Sequence, residues 1–482
     1  MATRRDLIRA LEAAVGAQHV LWRPEDLAVY EFDGTIEKST PHAVVLPGDT
    51  AQVAAVVRAC NDLAIPITPR GAGTGLSGGS VPQKRGVVVA TSRMRRILEI
   101  DPGNRIAVVE PGVANLDLSK AAAPYGLFYA PDPSSQQACT IGGNVAENAG
   151  GPHCLALGVT QNHVLGIEVV TAAGEVAWLG GRVPDAFGYD LRGAFIGSEG
   201  TLGIATKVVV RLVPLPAHIV TLLAVFDTVQ QASETVSAVI SSGTIPAAME
   251  MMDQLTLQAA EAGLHCGYPP DAGAVLLVEL DGLADIVEPQ AARVRAECLE
   301  RGAVEVRLAS SPEERALLWK GRKGAIPSLG RLAPNYYILD GVVPRSKLVD
   351  VMRVVSDVSD RYGIPIANVF HAGDGNLHPL ALFDERVPGA TARVLEAGGE
   401  IMRACVEAGG ALSGEHGIGA EKRMFMPWLY NETDLENMER LRGVFGNTGQ
   451  FNPCKLLPSG TGCGEMAHQA AAVRAAGPDA YV

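Results

Sequence analysis

The sequence of 482 residues lacks three features that would each place it in a broad class of protein. It has no excess of basic residues, because 40 lysines and arginines stand against 53 acidic residues and the formal net charge is −13. We therefore expect no nucleic-acid partner, since such a protein carries a basic surface. It contains no run of about 18 apolar residues, so we expect no membrane-spanning helix. It also contains no CxxC pair, which argues against an iron–sulfur cluster of the usual cysteine spacing.

The cysteines and the N-terminus predict a cytoplasmic protein. The eight cysteines are scattered along the chain, a pattern typical of reduced and mostly buried thiols. The N-terminal segment lacks the long apolar stretch of a signal peptide. Instead, Leu7, Leu11, Ala14 and Val15 recur at helical spacing, which predicts an amphipathic surface helix.

Short apolar runs alternate with helical windows along most of the chain, and this pattern predicts an α+β protein with more than one domain. Two prolines in Leu212–Pro216 predict a boundary, because proline interrupts both helices and strands. Beyond it, strand-like runs such as Ile219–Phe226 alternate with helical windows such as Thr228–Ser241, and we expect a sheet with helices packed on one side. The predicted order is a helical lead-in (1–37), a first domain (38–216), a second domain (217–456) and a loosely ordered tail (457–482).

Glycine is abundant, with 54 residues, and one concentration of it is Pro69–Gly79, which reads PRGAGTGLSGG. This segment contains the spacing GxGxxG, which in a dinucleotide-binding Rossmann fold is followed directly by a helix. Here Ser77–Pro82 reads SGGSVP and is a poor helix former, so we do not expect a nicotinamide dinucleotide. A glycine-rich loop can still hold phosphate, because its backbone N–H groups can surround an anion.

A second glycine-rich segment, Cys139–Gly151, follows in the same domain, and Pro131–Ser135 (PDPSS) lies just before it. A single loop of this kind is compatible with a mobile surface loop, whereas two in one domain predict a long ligand. Together with Gly197–Gly203 (GSEGTLG), these segments resemble the FAD-binding domain of the vanillyl-alcohol oxidase superfamily, also called the p-cresol methylhydroxylase type, over roughly residues 38–216.

The resemblance implies that FAD is the cofactor and that these segments enclose it. Some relatives carry a histidine in the first loop that is bonded to the flavin; Arg70–Gly75 contains none, so we expect non-covalent FAD. The residues of this domain that the resemblance assigns to the cofactor are Pro69, Arg70, Gly71, Gly73, Thr74, Gly75, Leu76, Ser77, Gly78, Pro131, Asp132, Ser134, Ser135, Gly142, Gly143, Asn144, Asn148, Gly150, Gly151, Glu199, Gly200, Gly203 and Ile204.

Two histidines lie close together in Asn368–Pro379, which reads NVFHAGDGNLHP. Asp-Gly between apolar runs is a strong signal for a hairpin with a two-residue turn. With Asp374 and Gly375 as that turn, His371 lies directly opposite His378, and side chains that face each other in this way are about 5 Å apart. Two imidazoles at that spacing can bind one metal ion. The alternative is a stacked histidine pair without a metal.

The segment Ser413–Gly419 (SGEHGIG) supplies a carboxylate that would complete such a site. Two histidines and Glu415 form a ligand set typical of catalytic zinc, and harder metals such as manganese are also compatible. Adjacent side chains in a strand point to opposite faces, so His416 reaches the same site only if the glycines bend the chain. The alternative is a glycine-rich turn with a solvated glutamate.

The histidine segments, the glycine-rich segments and LWKGRK (318–323) resemble FAD-linked D-2-hydroxy-acid dehydrogenases, and within them the D subunits of bacterial glycolate oxidases, from about residue 25 to 456. The fold class implied is α+β, with a p-cresol methylhydroxylase-type FAD-binding domain of two α/β subdomains and a C-terminal antiparallel-sheet-and-helix domain. The resemblance also implies that His371, His378 and Glu415 are metal ligands. It implies that His416 is the base and that Arg322 binds the substrate carboxylate. Gly449–Lys455 resembles a segment that returns to the flavin, with Asn452 near the ring.

The reaction implied is FAD-dependent oxidation of a small D-2-hydroxy acid, glycolate or D-lactate, assisted by a divalent metal that is zinc or, alternatively, manganese or iron. Relatives that act on the longer 2-hydroxyglutarate have a lysine in the strand before an Asp-x-x-x-Pro segment. Here Asn335–Asp340 contains no cation, which favours the smaller substrates. The resemblance implies a second flavin-domain subunit and an iron–sulfur subunit as partners, through which a cytoplasmic protein could associate with a membrane.

Three alternatives are open on the sequence. The chain could be a stand-alone D-lactate dehydrogenase. It could be a non-catalytic subunit that binds FAD only for assembly, although the complete set of histidines, glutamate and arginine argues against this. It could be a nicotinamide-dependent Rossmann enzyme, which would lack a flavin spectrum.

Overall fold

The computed structural model describes residues 3–184, 188–447 and 449–458, and its N-terminus confirms the predicted amphipathic helix. Helix α1 (Arg4–Val15) is capped by Thr3 and buries Leu7, Leu11 and Val15 against the first sheet. The predicted loosely ordered tail lies outside the described residues from 459 onward. None of the described helices combines the length and apolarity that crossing a membrane requires.

The described first part of the chain forms two small sheets with separate cores and, in addition, a two-stranded pair of β11 with β7. The strands are β1 (Val20–Leu21), β2 (Ala43–Val45), β3 (Ile67–Arg70), β4 (Val87–Ala90), β5 (Ile97–Asp101), β6 (Ile106–Val109), β7 (Leu127–Phe128), β8 (Val164–Val170), β9 (Val176–Gly180), β10 (Ile204–Arg211) and β11 (Val213–Pro214). The helices that follow α1 are α2 (Pro24–Leu27), α3 (Thr50–Asp62), α4 (Asn115–Ala122), α5 (Ile141–Glu147), α6 (Cys154–Leu157), α7 (Thr160–His163) and α8 (Leu191–Phe195).

These two sheets differ in strand direction. The first has the order β1-β2-β4-β3, its strands β2, β4 and β3 are parallel, and it packs against α1 and α3. The second has the order β5-β6-β10-β8-β9, is antiparallel throughout, and packs against α4 and α5. Loops from both sheets therefore lie between two rigid cores, where they can surround a ligand.

The second part of the chain forms one seven-stranded antiparallel sheet in the order β15-β12-β14-β13-β18-β20-β16. Its strands are β12 (His218–Phe226), β13 (Ala248–Asp253), β14 (Ala274–Gly282), β15 (Ala303–Leu308), β16 (Asn335–Ile338), β18 (Ile366–Phe370) and β20 (Pro379–Phe383), and a small pair is formed by β17 (Gly341–Val342) and β19 (Asn376–Leu377). The helices are α9 (Val229–Ser241), α10 (Gln254–Leu264), α11 (Ala284–Glu300), α12 (Pro312–Lys323), α13 (Ala325–Ser328), α14 (Leu348–Tyr362), α15 (Ala390–Glu407) and α16 (Glu432–Val444).

Helices cover both faces of this large sheet, so the expectation that they pack on one side is wrong. One core joins the sheet to α9, α11, α14 and α15, and the other joins it to α10, α12 and α13. The reason is visible in β12, where seven consecutive residues from Val220 are buried. A strand buried on both faces has a continuous apolar run instead of an alternating one.

Three further expectations need correction in detail. The second glycine-rich segment is not entirely a loop, because Ile141–Glu147 is helical and is capped by the Thr140 side chain. The prolines near 212–216 do not exclude a strand, since Val213–Pro214 pairs with β7. Cys454 is disulfide-bonded, so the expectation of uniformly reduced cysteines is wrong at that position. The six free thiols of the described residues are Cys60, Cys139, Cys154, Cys266, Cys298 and Cys405.

Candidate active site

A cavity lies between the glycine-rich segments of the first part of the chain and the histidine segments of the second. Its wall contains every residue predicted for catalysis or metal binding, namely Arg322, His371, His378, Glu415 and His416. The predicted cofactor residues in the wall are Pro69, Arg70, Gly71, Gly73, Thr74, Gly75, Leu76, Ser134, Ser135, Gly142, Gly143, Asn144, Gly150, Glu199, Gly200, Gly203 and Ile204. The fold thus brings residues separated by more than 300 positions to one cavity.

Other predicted cofactor residues lie outside this wall, namely Ser77, Gly78, Pro131, Asp132, Asn148, Gly151 and Asn452. Asn452 illustrates what such residues do instead. Its amide nitrogen donates hydrogen bonds to the carbonyl oxygens of Gly79 (2.8 Å) and Glu199 (2.6 Å). It therefore joins the first and third glycine-rich segments from behind the cavity.

Sequence reasoning missed several residues of the wall, including Thr140, Glu147 and Ile326. Glu147 is a buried acid whose carboxylate accepts a hydrogen bond from the Ser77 hydroxyl at 3.2 Å. Burial and the neighbouring Glu199 raise the pKa of Glu147 well above its ordinary value. A single charged residue inside a glycine-rich segment was the signal that could have identified it.

Close backbone approach explains why glycine occupies two positions of the cavity wall. A Cβ atom at Gly71 would lie 2.5 Å from the Thr140 hydroxyl oxygen, and one at Gly142 would lie 2.5 Å from the Pro111 Cβ. A larger residue at Gly71 would push the first and second segments apart, and one at Gly142 would push the second segment away from Pro111. This cradle of backbone atoms fits a long phosphate-bearing cofactor such as FAD, whose phosphates would lie against N–H groups.

The hairpin with the two histidines has a different register from the predicted one. His371 bridges to Asn376, not to His378, and Ala372–Asp374 forms a 3-10 turn closed by Gly375 at φ +74°. The predicted two-residue turn and the direct pairing of the histidines are therefore wrong. The shift is two residues, which keeps side chains on the same face of the strand pair. The histidine rings consequently still meet, with centroids 5.2 Å apart.

His371, His378 and Glu415 place one ligand atom each within 4.8 Å of one another. The Glu415 Oε1 lies 2.9 Å from the His371 Nε2 and 3.6 Å from the His378 Nε2. The His378 Nε2 is buried and makes no aligned hydrogen bond with a described residue. Two imidazole nitrogens and a carboxylate that converge in this way fit a divalent metal ion.

A second combination of possible ligands, Asp340 with His378 and His416, is less suitable. The oxygens of Asp340 already accept hydrogen bonds from the segment Ser413–Gly419, through the Ser413 hydroxyl (2.6 Å) and the N–H groups of Gly414 (3.1 Å) and His416 (2.9 Å). They also accept one from the buried Lys422 (3.1 Å). These contacts use the lone pairs that a metal would need. Asp340 therefore organises the segment, and Glu415 is the available carboxylate.

Two buried carboxylates from different parts of the chain hold the turn around His416. Asp340 binds its first half, and Glu199 accepts hydrogen bonds from the N–H groups of Ile418 (2.7 Å) and Gly419 (2.5 Å) in its second half. Gly417 between them has φ +94°. The predicted site required the glycines to bend the chain beside His416, and this turn provides that bend. It allows the adjacent side chains Glu415 and His416 to line the same cavity.

His416 is a buried imidazole without a hydrogen-bond partner on Nδ1 among the described residues. Its ring stacks on that of His378 with centroids 4.6 Å apart and an interplanar angle of 19°. Burial is the main reason that the pKa of His416 falls to about 4. The Nε2 of this neutral imidazole lies 3.9 Å from the Glu415 Oε1, on the side of the cavity residues, and is the nitrogen suited to accept a proton from a molecule in the cavity.

Arg322 is 2% exposed and ends helix α12 at the cavity. Its Nη2 lies 2.5 Å from the Glu250 Oε2, an ion pair that lacks the alignment of a hydrogen bond. The Nε and Nη2 groups have no hydrogen-bond acceptor among the described residues. Sequence reasoning missed Glu250, although a lone glutamate in the apolar strand Ala248–Asp253 was a usable signal.

His153 links the two parts of the chain beside the cavity. Its Nδ1 lies 3.1 Å from the Asp132 Oδ2, and its Nε2 lies 3.2 Å from the Glu279 Oε1. Burial alone would lower the pKa of His153, but the two carboxylates raise it to about 10. Lys323 also contacts Asp132, and Arg315 contacts Glu279, so the cluster contains charges of both signs.

This ion cluster predicts a pH-dependent effect of His153→Gln on stability. A group with a raised folded-state pKa stabilises the fold fully below its unfolded value, here 6.5, and loses that contribution as the pH rises through about 10. We therefore expect the variant to melt several degrees below the wild type at about pH 6, and the difference to shrink toward about pH 10. Thermal unfolding followed by circular dichroism measures this. A difference that stays constant with pH would show that His153 is not charged in the fold.

Solved structures share the fold of this chain. The structure of p-cresol methylhydroxylase with substrate bound aligns over 94% of this chain and 96% of that chain, with a TM-score of 0.80 and 19% identity. The structure of 4-ethylphenol oxidase from Gulosibacter chungangensis, in complex with isoeugenol, aligns over the same shares with a TM-score of 0.78 and 20% identity. At these identities the likeness concerns the fold alone, and it confirms the expected fold class.

Sequence comparisons give the family. A model of an FAD binding domain matches residues 41–180, and a model of the C-terminal domain of FAD linked oxidases matches residues 215–456. A protein named glycolate oxidase subunit GlcD from Escherichia coli (strain K12) is 47% identical over 464 residues, which are 96% of this chain and 93% of that protein. A protein named D-lactate dehydrogenase from Archaeoglobus fulgidus is 33% identical over 434 residues, 89% of this chain and 95% of that protein. The chain belongs to the FAD-linked oxidase family and is an FAD-dependent oxidoreductase.

Proposed function

We propose that the protein oxidises a small D-2-hydroxy acid, glycolate or D-lactate, to the corresponding 2-oxo acid. The observation that carries this proposal is Arg322, whose buried guanidinium lines the same cavity as the histidines and, apart from the ion pair of Nη2 with Glu250, makes no aligned hydrogen bond through Nε or Nη2 with a described residue. A substrate carboxylate would satisfy these donors in a bidentate ion pair. The names of the relatives, glycolate oxidase subunit and D-lactate dehydrogenase, support the same class of substrate.

Each side chain of the site then has a chemical task. Arg322 would hold the substrate carboxylate, and the neutral imidazole of His416 would accept the proton of the 2-hydroxyl group. FAD, when bound in the glycine-rich cradle, supplies the acceptor for the hydride from the same carbon. A divalent ion held by His371, His378 and Glu415 would lower the pKa of the hydroxyl group; the ligand set favours zinc, with manganese or iron as alternatives.

The cavity wall also bears on substrate size. The residues of β16 (Asn335–Ile338) include no cation and do not line the cavity. The arginines of the wall are Arg322 and Arg70, and Arg70 lies in the first glycine-rich segment. The wall contains no lysine among the described residues, and it also includes the apolar Leu76 and Ile326. This supports a substrate with one carboxylate.

Reoxidation of the flavin requires an electron acceptor outside the described chain. A relative named as a subunit supports assembly with other chains. We propose that those partners are a second flavin-domain subunit and an iron–sulfur subunit. Association of the protein with a membrane through these subunits stays a prediction. Co-purification of the chain with its partners tests this, and activity of the isolated chain with an artificial acceptor only would agree with it.

Anaerobic bleaching of the flavin is the direct test of the proposed reaction. We expect glycolate or D-lactate to bleach the purified yellow protein within seconds, and L-lactate to leave it oxidised. Prior treatment with a chelator should slow bleaching by about 100-fold or more, because a bound divalent ion contributes several kcal/mol of charge stabilisation. Added Zn²⁺ or Mn²⁺ should restore the rate. Equal bleaching with and without chelator would remove the metal from the proposal.

Steady-state kinetics distinguish the two substrates. A strong preference for D-lactate over glycolate, with full turnover by the isolated chain, would favour a stand-alone D-lactate dehydrogenase. A flavin spectrum without bleaching by any of the acids would favour a non-catalytic FAD-binding subunit.

A further inference from the structure

Glu250 is a buried carboxylate to which the proposed function assigns no role. It lies in the central strand β13, is 0% exposed, and does not line the cavity. Both of its oxygens nevertheless contact side chains that do. The Oε1 is 2.8 Å from the His371 Nδ1, and the Oε2 is 2.5 Å from the Arg322 Nη2. One carboxylate thus touches a proposed metal ligand and the proposed substrate clamp.

We propose that Glu250 is a positioning residue that couples metal binding to substrate binding; this inference rests on the proposed function. On the histidine side, a carboxylate bound to Nδ1 keeps the proton on that nitrogen. The other nitrogen, the His371 Nε2, faces the Glu415 Oε1 at 2.9 Å and is then the one that would give up its proton to bind a metal ion beside that carboxylate. On the arginine side, the ion pair orients the guanidinium group and neutralises part of its charge.

A second glutamate on the same sheet face provides the comparison. Glu250 pairs in register with Leu277 on β14, and Glu279, two residues further along β14, therefore points to the same face. Glu279 is also buried and also contacts an arginine and a histidine, Arg315 and His153. Arg315 and Arg322 are seven residues apart, so they lie on one face of helix α12.

The two glutamates, Glu250 and Glu279, differ in whether the side chains that they contact line the cavity. Glu279 is saturated by aligned hydrogen bonds from Arg315 (2.7 and 2.8 Å) and the Trp319 indole (2.6 Å), and neither donor lines the cavity. Glu250 has one aligned hydrogen bond, to His371, and both of its partners line the cavity. Glu279 therefore fastens helix α12 to the sheet, whereas Glu250 is suited to orient the two groups that would bind ligand.

Replacing Glu250 with glutamine should change the two kinds of binding in opposite directions. The amide has nearly the same shape but no charge, so it supports the His371 tautomer poorly. We expect the affinity for Zn²⁺ or Mn²⁺ to fall by about 10–100-fold, which is the usual loss when such a partner of a metal-bound histidine is removed. The charge of Arg322 is no longer neutralised, so chelator-treated variant should bind propionate, a carboxylate without a 2-hydroxyl group, at least as tightly as wild type.

The experiment uses the chelator-treated, FAD-loaded protein and four variants. Metal affinity is measured by titration with Zn²⁺ and Mn²⁺, and propionate binding by the change in the flavin spectrum. Glu279→Gln is the matched control, since it removes a buried, arginine-paired charge from the same face; its metal affinity should stay within about twofold of wild type. A purely structural Glu250 would weaken metal and propionate binding together, and that result overturns the proposal.

The remaining variants separate this inference from the proposed function. If His371→Gln loses the metal and Glu250→Gln keeps it, the coupling is wrong and the metal site stands. If His371→Gln keeps the metal, the proposed metal site is wrong and the coupling with it. Where Glu250→Gln does not fold, Glu250→Asp decides, because its shorter carboxylate cannot contact both partners. Its metal affinity should fall by at least about tenfold, and unchanged affinity contradicts the coupling.

Discussion

His416→Asn is expected to slow reduction of the flavin by a D-2-hydroxy acid by about 10²–10⁴-fold, because an amide cannot take the hydroxyl proton that a general base removes. The wild-type imidazole is buried and neutral, and its Nε2, 3.9 Å from the Glu415 Oε1, is the nitrogen available for that proton. The turn that holds it depends on backbone N–H groups bound by Asp340 and Glu199, so the substitution should leave this turn in place. Anaerobic stopped-flow absorbance measures the rate.

A matched control for this variant is His163→Asn, which changes a buried histidine of the first part of the chain. His163 is 1% exposed, contacts the Leu157 carbonyl oxygen and does not line the cavity. We expect its flavin reduction to stay within a few-fold of wild type. Flavin content and metal affinity should be unchanged in His416→Asn. Normal reduction by that variant would show that another group is the base.

Arg322→Lys is expected to lower kcat/KM by about 100-fold or more, mainly through weaker substrate binding. Loss of one partner of a buried, hydrogen-bonded charge pair costs about 2–5 kcal/mol. Lysine retains the charge but not the planar fork that matches a carboxylate. The effect should therefore appear in the Kd for substrate or propionate more than in the rate of flavin reduction at saturation. Steady-state kinetics and spectral titration together provide both quantities.

Arg315→Lys is the control for this prediction, since Arg315 lies two turns earlier on the same helix and also pairs with a buried glutamate, Glu279. It does not line the cavity. We expect a small loss of thermal stability and a kcat/KM within a few-fold of wild type. If Arg315→Lys reduced kcat/KM as strongly as Arg322→Lys, the effect would belong to the anchoring of helix α12 and not to substrate binding.

In the histidine hairpin, the sequence correctly predicted that His371 and His378 lie close together, although the predicted strand register was wrong. Asp374-Gly375 indicated a tight turn, but the structure uses a 3-10 turn that ends at Gly375. The register moved by two residues, and strand periodicity kept both histidines on one face. A shift of one residue would have placed them on opposite faces. The two histidine rings therefore still lie together because the register shifted by an even number of residues.

Glu250 and Glu199 make contacts that no local sequence pattern predicted. Each is the one glutamate of a segment whose pattern indicates something else, a mostly apolar strand for Glu250 and a glycine-rich loop for Glu199. Their partners are 72 or more residues away along the chain, since Glu250 contacts Arg322 and Glu199 contacts Ile418. Local pattern carries no information about such contacts, because they depend on how whole sheets and helices pack.

By itself, the sequence of this protein predicted many of the elements, two glycine-rich segments for a long ligand and a histidine–glutamate cluster for a metal, since these follow from local periodicity, glycine spacing and ligand chemistry. The assignment of FAD, of His416 as base and of Arg322 as carboxylate-binding residue came from the resemblance to a family. Only the tertiary structure decided that helices cover both faces of the large sheet and that Asn452 lies behind the cavity. It alone also joined Arg322 to His371 through Glu250. The physical reason is that burial and charge pairing are properties of the packed chain, whereas turns and strand faces are properties of a few neighbouring residues.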